Sequence, residues 1–183
     1  MGRWYGLILA SVVILALFGA GCLGERSGSG PAPAGSPQAG QVLQVVGEVT
    51  GQGVIPQGVP RGIIDTVTFS VGLVPGAKSV NIENLSIVYS DALRSETLSP
   101  APGFRGSPPV SSWGVIRVNN EVGNPNNRLD YEEQFVIRIN PKSPVVPNQV
   151  ITISVKPQEG NPVIIRLLAP ATIAENDNIL VPL

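Results

Sequence analysis

The stretch TVTFSVGL, from Thr66 to Leu73, decides the fold class of this chain. Apolar residues occupy every second position, and small or polar residues stand between them. Successive side chains of a strand point to opposite faces, so this alternation predicts a β-strand that buries one face. The buried face would carry Val67, Phe69 and Val71.

The same alternation recurs in short segments that Gly, Pro or Asn clusters separate. Segments of this kind are typical of an all-β fold, here an antiparallel β-sandwich over residues 41–183. No segment after the N-terminal leader has a helical repeat long enough to compete. The predicted core consists of Val67, Phe69, Val71, Ile87, Phe135, Ile137, Ile153, Val155 and Ile165.

Residues 94–112 form the longest stretch without alternation, and they are rich in Pro, Ser and Gly. We therefore expect a long irregular loop there, of unknown role. Trp113 follows this stretch, and Phe69 lies in the strand described above. Both aromatic side chains are expected to fill the core rather than stack against a ligand.

The N-terminus has the composition of a signal segment, predicted over residues 1–22. Arg3 supplies a positive charge, an apolar run follows from Leu7 to Phe18, and small residues come directly before Cys22. Cys22 is the only cysteine, and its place after a small-residue cleavage site favours lipidation of its thiol. The alternative is an uncleaved membrane helix, although the apolar run is shorter than the ~20 residues that a span needs.

Residues 23–40 are dominated by Gly, Ser, Pro and Ala and show no apolar periodicity. Such a segment buries too little surface to offset its ordering entropy, so we expect a flexible linker. Pro31, Pro33 and Pro37 are incompatible with a continuous helix in this region.

The composition excludes several functions. Twelve basic and thirteen acidic residues nearly cancel, so there is no basic face for nucleic acid. Charged residues make up only 14% of the chain, which favours self-association or contact with a surface layer. The chain has no histidine and no Gly-x-Ser-x-Gly motif, so we predict neither enzymatic activity nor a cofactor.

Two sites remain as candidates. Asn84-Leu85-Ser86 is the sole N-glycosylation sequon, and Asn84 should face outward because Leu85 and Ile87 alternate inward. The densest acidic cluster, Asp130, Glu132 and Glu133, offers oxygen donors for calcium but lacks EF-hand spacing. We expect a solvated, self-bonded turn there rather than a metal site.

Four segments together resemble archaellins, the filament subunits of the archaeal flagellum (archaellum). They are QAGQVLQVVGEV (38–49), GIIDTVTFSV (62–71) with the following Tyr89-Ser90-Asp91, NNRLDYEEQF (126–135) and the C-terminal region 151–173. The resemblance extends over about residues 38–183. It implies an immunoglobulin-like β-sandwich with a structural, non-enzymatic role in a motility filament at the cell surface.

The N-terminus departs from the archaellin pattern. Archaellins follow their processing glycine with a long unbroken apolar helix that has a Glu near its start, whereas Gly6-Leu7-Ile8-Leu9-Ala10 in this chain has an aliphatic residue where that Glu is expected. Here the apolar run ends at Gly19, Gly21 and Cys22. We therefore expect an archaellin-family structural protein that is anchored at the extracellular face of the membrane. The alternatives are a polymerising filament subunit with a divergent helix, and a lipoprotein module that binds surface layer, carbohydrate or another cell.

Overall fold

The computed structural model describes residues 39–58, 60–101 and 107–183. One 3-10 turn, Ile82–Asn84, is present, and no α-helix occurs among the described residues, which confirms the all-β prediction. The strands are β1 (Leu43–Val54), β2 (Ile63–Leu73), β3 (Val80–Asn81), β4 (Ser86–Asp91), β5 (Ser95–Pro100), β6 (Ser112–Asn119), β7 (Arg128–Leu129), β8 (Gln134–Asn140), β9 (Val150–Lys156), β10 (Val163–Leu168) and β11 (Asn176–Pro182).

Two sheets face each other and join at both edges. One sheet has the order β1-β2-β8-β6, and the other has the order β5-β4-β9-β10-β11. The β1–β11 pair joins them on one side and the β5–β6 pair on the other, so the sandwich closes into a barrel. The short strands β3 and β7 form a separate two-stranded sheet.

The sheets are antiparallel as predicted, with one parallel pair at an edge. Ser99 and Pro100 of β5 pair in parallel with Ser112 and Trp113 of β6. The chain leaves β5 and returns to begin β6 beside it in the same direction, which a tight hairpin cannot do. All the other strand pairs among the described residues are antiparallel.

The prediction of one irregular loop over residues 94–112 is wrong in part. Residues 95–100 form β5, which pairs with β4 through Ile87–Leu98 and Tyr89–Glu96. Only Leu98 of this strand is buried, so the strand carries no alternation that the sequence could reveal. Residues 102–106 lie outside the described part of the chain.

The predicted core is confirmed. All nine residues that the alternation selected are buried, each with at most 2% of its surface exposed. Trp113 is also buried, at 3% exposure. Phe135 lies on β8 in the middle of its sheet, directly across from Val71 of β2 and Val118 of β6. The two sheets therefore bury one continuous apolar interior, which supplies most of the driving force for folding.

Strand directions define two ends of the barrel. β1 begins beside the β9–β10 turn, where Gln41 forms a bridge to Asn161. We call this the tether end, and it comprises residues 39–41, 74–79 and 157–162. The opposite, distal end comprises the β4–β5 turn (92–94) and the β8–β9 loop (141–149).

Side-chain hydrogen bonds hold the loops of the distal end together. The backbone N–H of Lys142 donates to Glu96 (2.7 Å), and the Gln149 side chain donates to Asp91 (3.1 Å). Val145, which is fully buried, exchanges two backbone hydrogen bonds with Ile64 at the start of β2. The β8–β9 loop is therefore fixed to both sheets.

A buried amide organises the approach to β11. Asn178 Oδ1 accepts a hydrogen bond from the Ala174 N–H (2.9 Å), and Asn178 Nδ2 donates to the carbonyls of Ala174 (2.9 Å) and Asn176 (2.9 Å). Gly53 of β1 lies directly against this loop, and a Cβ there would stand 1.9 Å from the Ala174 carbonyl oxygen. Only glycine allows β1 to approach so closely.

Candidate functional site

The lipidation candidate Cys22, the leader (1–22) and most of the linker lie outside the described residues. The part of the chain that the structure describes contains no helix long and apolar enough to cross a membrane. Ala39 and Gly40 are the first described residues, and they lie at the tether end. The structure therefore describes the residues where the predicted linker meets the domain, whereas the linker and the anchor both stay predictions.

Three hydrogen bonds fix the end of the linker to the β9–β10 turn. The Asn161 N–H donates to the Gly40 carbonyl (2.9 Å), and Asn161 Nδ2 donates to the Ala39 carbonyl (2.9 Å). Gln41 Nε2 donates to the Pro162 carbonyl (3.2 Å). We call this set of contacts the tether clamp. No local sequence pattern predicts this clamp, because its partners lie about 120 positions apart in the chain.

The structure places Asn84 where a modifying enzyme can reach it. Asn84 ends the 3-10 turn and is exposed, whereas the neighbouring Leu85 is buried. The Asn84 side chain donates a hydrogen bond to Gln158 Oε1 (2.9 Å) at the surface. The exposure matches the prediction from alternation, and use of the sequon stays a prediction.

Glu133 has a structural role that the sequence did not reveal. Its side chain is buried, with 2% exposure, and both carboxylate oxygens accept backbone hydrogen bonds. The donors are the Val122 N–H (2.7 Å) and the Asp130 N–H (3.0 Å). The carboxylate thus pairs with two loop amides, and it ties the loop between β6 and β7 to the start of β8.

The other members of the acidic cluster do not converge with Glu133. Glu132 is exposed and has a φ of 71°, and Asp130 is half-buried. In the adjoining turn, Asn126 Oδ1 accepts from the Arg128 N–H (2.6 Å), as expected for a self-bonded turn. Among the described residues, no group of three Asp, Glu, Cys or His side chains could hold a metal ion.

A shallow cleft of about 190 Å³ lies on the outer face at the tether end. Its lining contains no serine, cysteine, histidine or lysine, and its ionisable side chains are those of Tyr131, Glu132 and Glu133. The Glu133 carboxylate is already engaged by two backbone N–H groups. The cleft is lined by Gln44, Val46, Gly72, Leu73, Pro75, Tyr131, Glu132, Glu133 and Gln134.

Tyr89 is the one titratable group whose environment clearly shifts its pKa among the described residues. Burial raises the pKa of Tyr89 well above its usual value, and the nearby Asp91 carboxylate raises it further. Its hydroxyl has no hydrogen-bond partner among the described residues. The hydroxyl thus costs stability rather than serving chemistry.

We expect Tyr89→Phe to raise the free energy of unfolding by about 1 kcal/mol at neutral pH, because it removes an unsatisfied buried hydroxyl. Because the folded state holds this proton more tightly than the unfolded chain, stability should fall as the pH rises above the unfolded value of ~10. The phenylalanine variant should lack this alkaline loss. Denaturant unfolding from neutral to alkaline pH measures both effects.

Tyr131→Phe is the matched control, since Tyr131 is 61% exposed and should change stability little. A clear loss of stability in Tyr89→Phe at neutral pH would contradict the interpretation, because it would mean that the hydroxyl makes a favourable interaction.

The described residues form a β domain without an assembled catalytic site. Comparison with known proteins also indicates a structural protein. The model of the family "Archaeal-type flagellin" matches residues 7–167, so the chain belongs to the archaeal-type flagellin (archaellin) family. This is a family of structural filament proteins, and the protein is accordingly a non-enzymatic structural protein.

Solved structures show the same fold at low sequence identity. The crystal structure of archaeal flagellin FlaB1 from Methanocaldococcus jannaschii matches with a TM-score of 0.56 and 15% identity, over 76% of this chain and 96% of the other. The archaeal flagellum of Methanospirillum hungatei strain JF1 matches with a TM-score of 0.51 and 13% identity, over 76% and 70%. A search of curated proteins found no significant match.

Proposed function

We propose that this archaellin-family protein is anchored in the membrane through Cys22 and displays its β domain on the outer side of the cell, as part of or beside the archaellum. The observation that carries the proposal is the closed barrel directly behind the linker. Each barrel strand is paired on both sides, so the domain does not need an N-terminal helix to complete its fold. Such a domain suits display on a flexible linker.

The linker composition supports the anchored form over a polymerising subunit. Pro31, Pro33 and Pro37 interrupt any helix between the apolar run and Gln41. A filament core built from continuous helices would lose the second half of each helix. The linker would then act as a flexible spacer between anchor and domain.

The family match favours a second candidate, the filament subunit. The matched region begins at Leu7, directly after Gly6, and so includes the apolar run to Phe18. In this alternative the run packs in the filament core, and Cys22 keeps a free thiol. Adhesion to surface layer, carbohydrate or another cell is a third candidate, and it shares the anchored N-terminus.

Fractionation of sheared cells separates the first two candidates. Trypsin should release peptide 129–138 and the C-terminal peptide 167–183, both from the described domain, and mass spectrometry can follow them. We expect both peptides in the membrane fraction, with the pelleted filaments depleted of them. Abundant recovery from filaments would refute the anchored form.

The N-terminus provides an independent test. If two lipid chains are attached to Cys22, the protein should bind membranes stably, because two chains suffice where one is marginal. We expect Cys22→Ser to move most of the protein to the soluble or secreted fraction. Conversion of Ser27 in the linker to alanine is the control, and it should leave the distribution unchanged.

The intact mass of the purified wild-type protein shows how its N-terminus is processed. A lipid-modified chain beginning at Cys22 supports the anchor, whereas a chain beginning at Leu7 with a free thiol supports the filament subunit. A retained Met1 with an unmodified thiol supports an uncleaved membrane helix.

We also propose that Asn84 carries an N-linked glycan. Asn84→Gln and Ser86→Ala should each remove the same glycan mass from peptides that contain residue 84, whereas Ser86→Thr keeps the sequon and should preserve the glycan. Ser86 is exposed, so these changes should not disturb the fold. An unmodified Asn84 in protein purified from the native membrane would refute this proposal.

A further inference from the structure

The tether clamp determines where force from the linker enters the domain. Asn161 and Pro162 hold the backbone of Ala39 and Gly40 and the side chain of Gln41 against the β9–β10 turn. Two residues later the chain enters β1. A pull on the linker is therefore shared at once between β1 and the second sheet.

β1 lies between two hydrogen-bonded neighbours. It forms nine register pairs with β2 and five with β11. Antiparallel hydrogen bonds run perpendicular to the strands. When β1 is pulled toward the tether end while the distal end is held, the force acts along the strand and perpendicular to these hydrogen bonds. All of the bonds then carry load at once and must break together, so β1 resists the force in shear.

The C-terminus gives the opposite geometry. β11 runs antiparallel to β1, and its end at Leu183 lies beside Arg166, about midway along β10, whereas Gln41 lies at the tether end. β11 has two register pairs with β10, and the Leu183 N–H donates to the Arg166 carbonyl (3.0 Å). A force between the two termini acts across these pairs and opens them one after another, beginning at Leu183.

The distal end offers a firm point of attachment for the shear direction. Lys142 is exposed in the β8–β9 loop, and this loop is fixed through Val145 and Glu96. β8 and β9 are each paired on both sides. Force applied at this loop is thus distributed over both sheets before any strand can leave.

We propose that the domain is a directional load-bearing link, strong between the linker and the distal end and weak between its two termini. The proposal rests on the proposed function, since the linker must be under tension for this property to matter in the cell. It implies that the partner that pulls on the domain grips the distal loops rather than the C-terminal strand.

Single-molecule force spectroscopy of the full chain in detergent tests the proposal. In protein produced in a host that does not lipidate it, the free thiol of Cys22 provides one handle, because Cys22 is the only cysteine. Lys142→Cys provides a distal handle, and Leu183→Cys provides a terminal handle of the same chemistry. We expect the distal pair to rupture at a force roughly twofold or more above that of the terminal pair, since many perpendicular hydrogen bonds must break at once.

Leu93→Cys provides a second distal handle, at a position that is 86% exposed. The pair of Cys22 and Leu93→Cys should also rupture at the high force. If the Lys142→Cys variant does not fold, this second pair takes its place in the comparison with the terminal pair. The length released on rupture, about 3.5 Å per residue between handles, shows that the domain was folded. Equal forces in the two directions, or a stronger terminal pair, would overturn the proposal.

Failure of this experiment and failure of the anchor are distinguishable. The force measurement depends only on the folded domain, so it gives its result even if Cys22 carries no lipid in the cell. Retention of Cys22→Ser in the membrane would contradict the anchor and leave the directional resistance unaffected.

Discussion

Phe135→Ala is expected to lower the free energy of unfolding by about 3–5 kcal/mol, because it leaves a large cavity in a closely packed core. Phe135 is 2% exposed and lies between Val71 and Val118 in the middle of its sheet. Neither neighbouring strand can move inward without losing its own pairing. Urea or guanidinium unfolding of the soluble domain measures the change.

Ile164→Ala is the matched control for an apolar truncation on a strand. Ile164 is 51% exposed on the outer face of β10, so its loss should cost under about 1 kcal/mol. Similar losses from the two substitutions would contradict the assigned core. A circular dichroism spectrum of the domain dominated by helix would contradict the fold itself.

Gly53→Ala is expected to destabilise the domain by about 3 kcal/mol or more, because the added methyl group would overlap backbone that cannot easily move. The new Cβ would lie 1.9 Å from the Ala174 carbonyl oxygen and 2.5 Å from Asn178 Nδ2. To relieve this overlap, β1 must separate from the loop that Asn178 organises. The midpoint of denaturant unfolding should fall accordingly.

Gly72→Ala is the control on the neighbouring strand. Its nearest contact would be the Val46 Cγ2 atom at 3.3 Å, a side-chain methyl group that can shift slightly. We expect a cost under about 1 kcal/mol. If Gly53→Ala is equally mild, then β1 does not pack against the loop before β11 as described.

The alternation in the sequence predicted the strands that bury one face with aliphatic or aromatic residues. From Val67 to Leu73 of β2, and in β8 and β9, every second side chain enters the core, and the polar residues between them stay partly exposed. Thr66 and Val136 depart from the alternation, because both are buried. For such strands, the positions of the apolar residues coincide with the positions that the two-residue period turns inward, so the sequence alone predicts which face is buried. The fold class followed from them.

β5 and β11 were not predicted, because their side chains do not follow this rule. β5 buries only Leu98, and its pairing with β6 depends on a parallel contact that local sequence does not encode. In β11 the inward position is taken by Asn178, whereas Ile179 and Val181 face outward with more than half of their surfaces exposed. The buried amide is compensated by hydrogen bonds that only the folded loop provides.

The candidate sites also divide into features that local sequence predicts and features that depend on the whole fold. The exposure of Asn84 could be predicted, because the neighbouring Leu85 and Ile87 fix the alternation around it. The burial of Glu133 could not, since its two amide donors come from loop residues whose positions depend on the whole fold. A carboxylate in an acidic run looks like a solvated side chain until these partners are known.

The closed barrel also governs how copies of this protein meet at high local concentration. All the backbone donors and acceptors along an open sheet edge would invite a neighbouring chain to extend the sheet. In the described barrel, each strand has a partner on both sides, but β5 pairs with β6 and β10 pairs with β11 over only two residues each. Molecules held at high local density would therefore meet through side chains over most of the barrel, and extension of the sheet by a neighbour is confined to the unpaired lengths of these two seams.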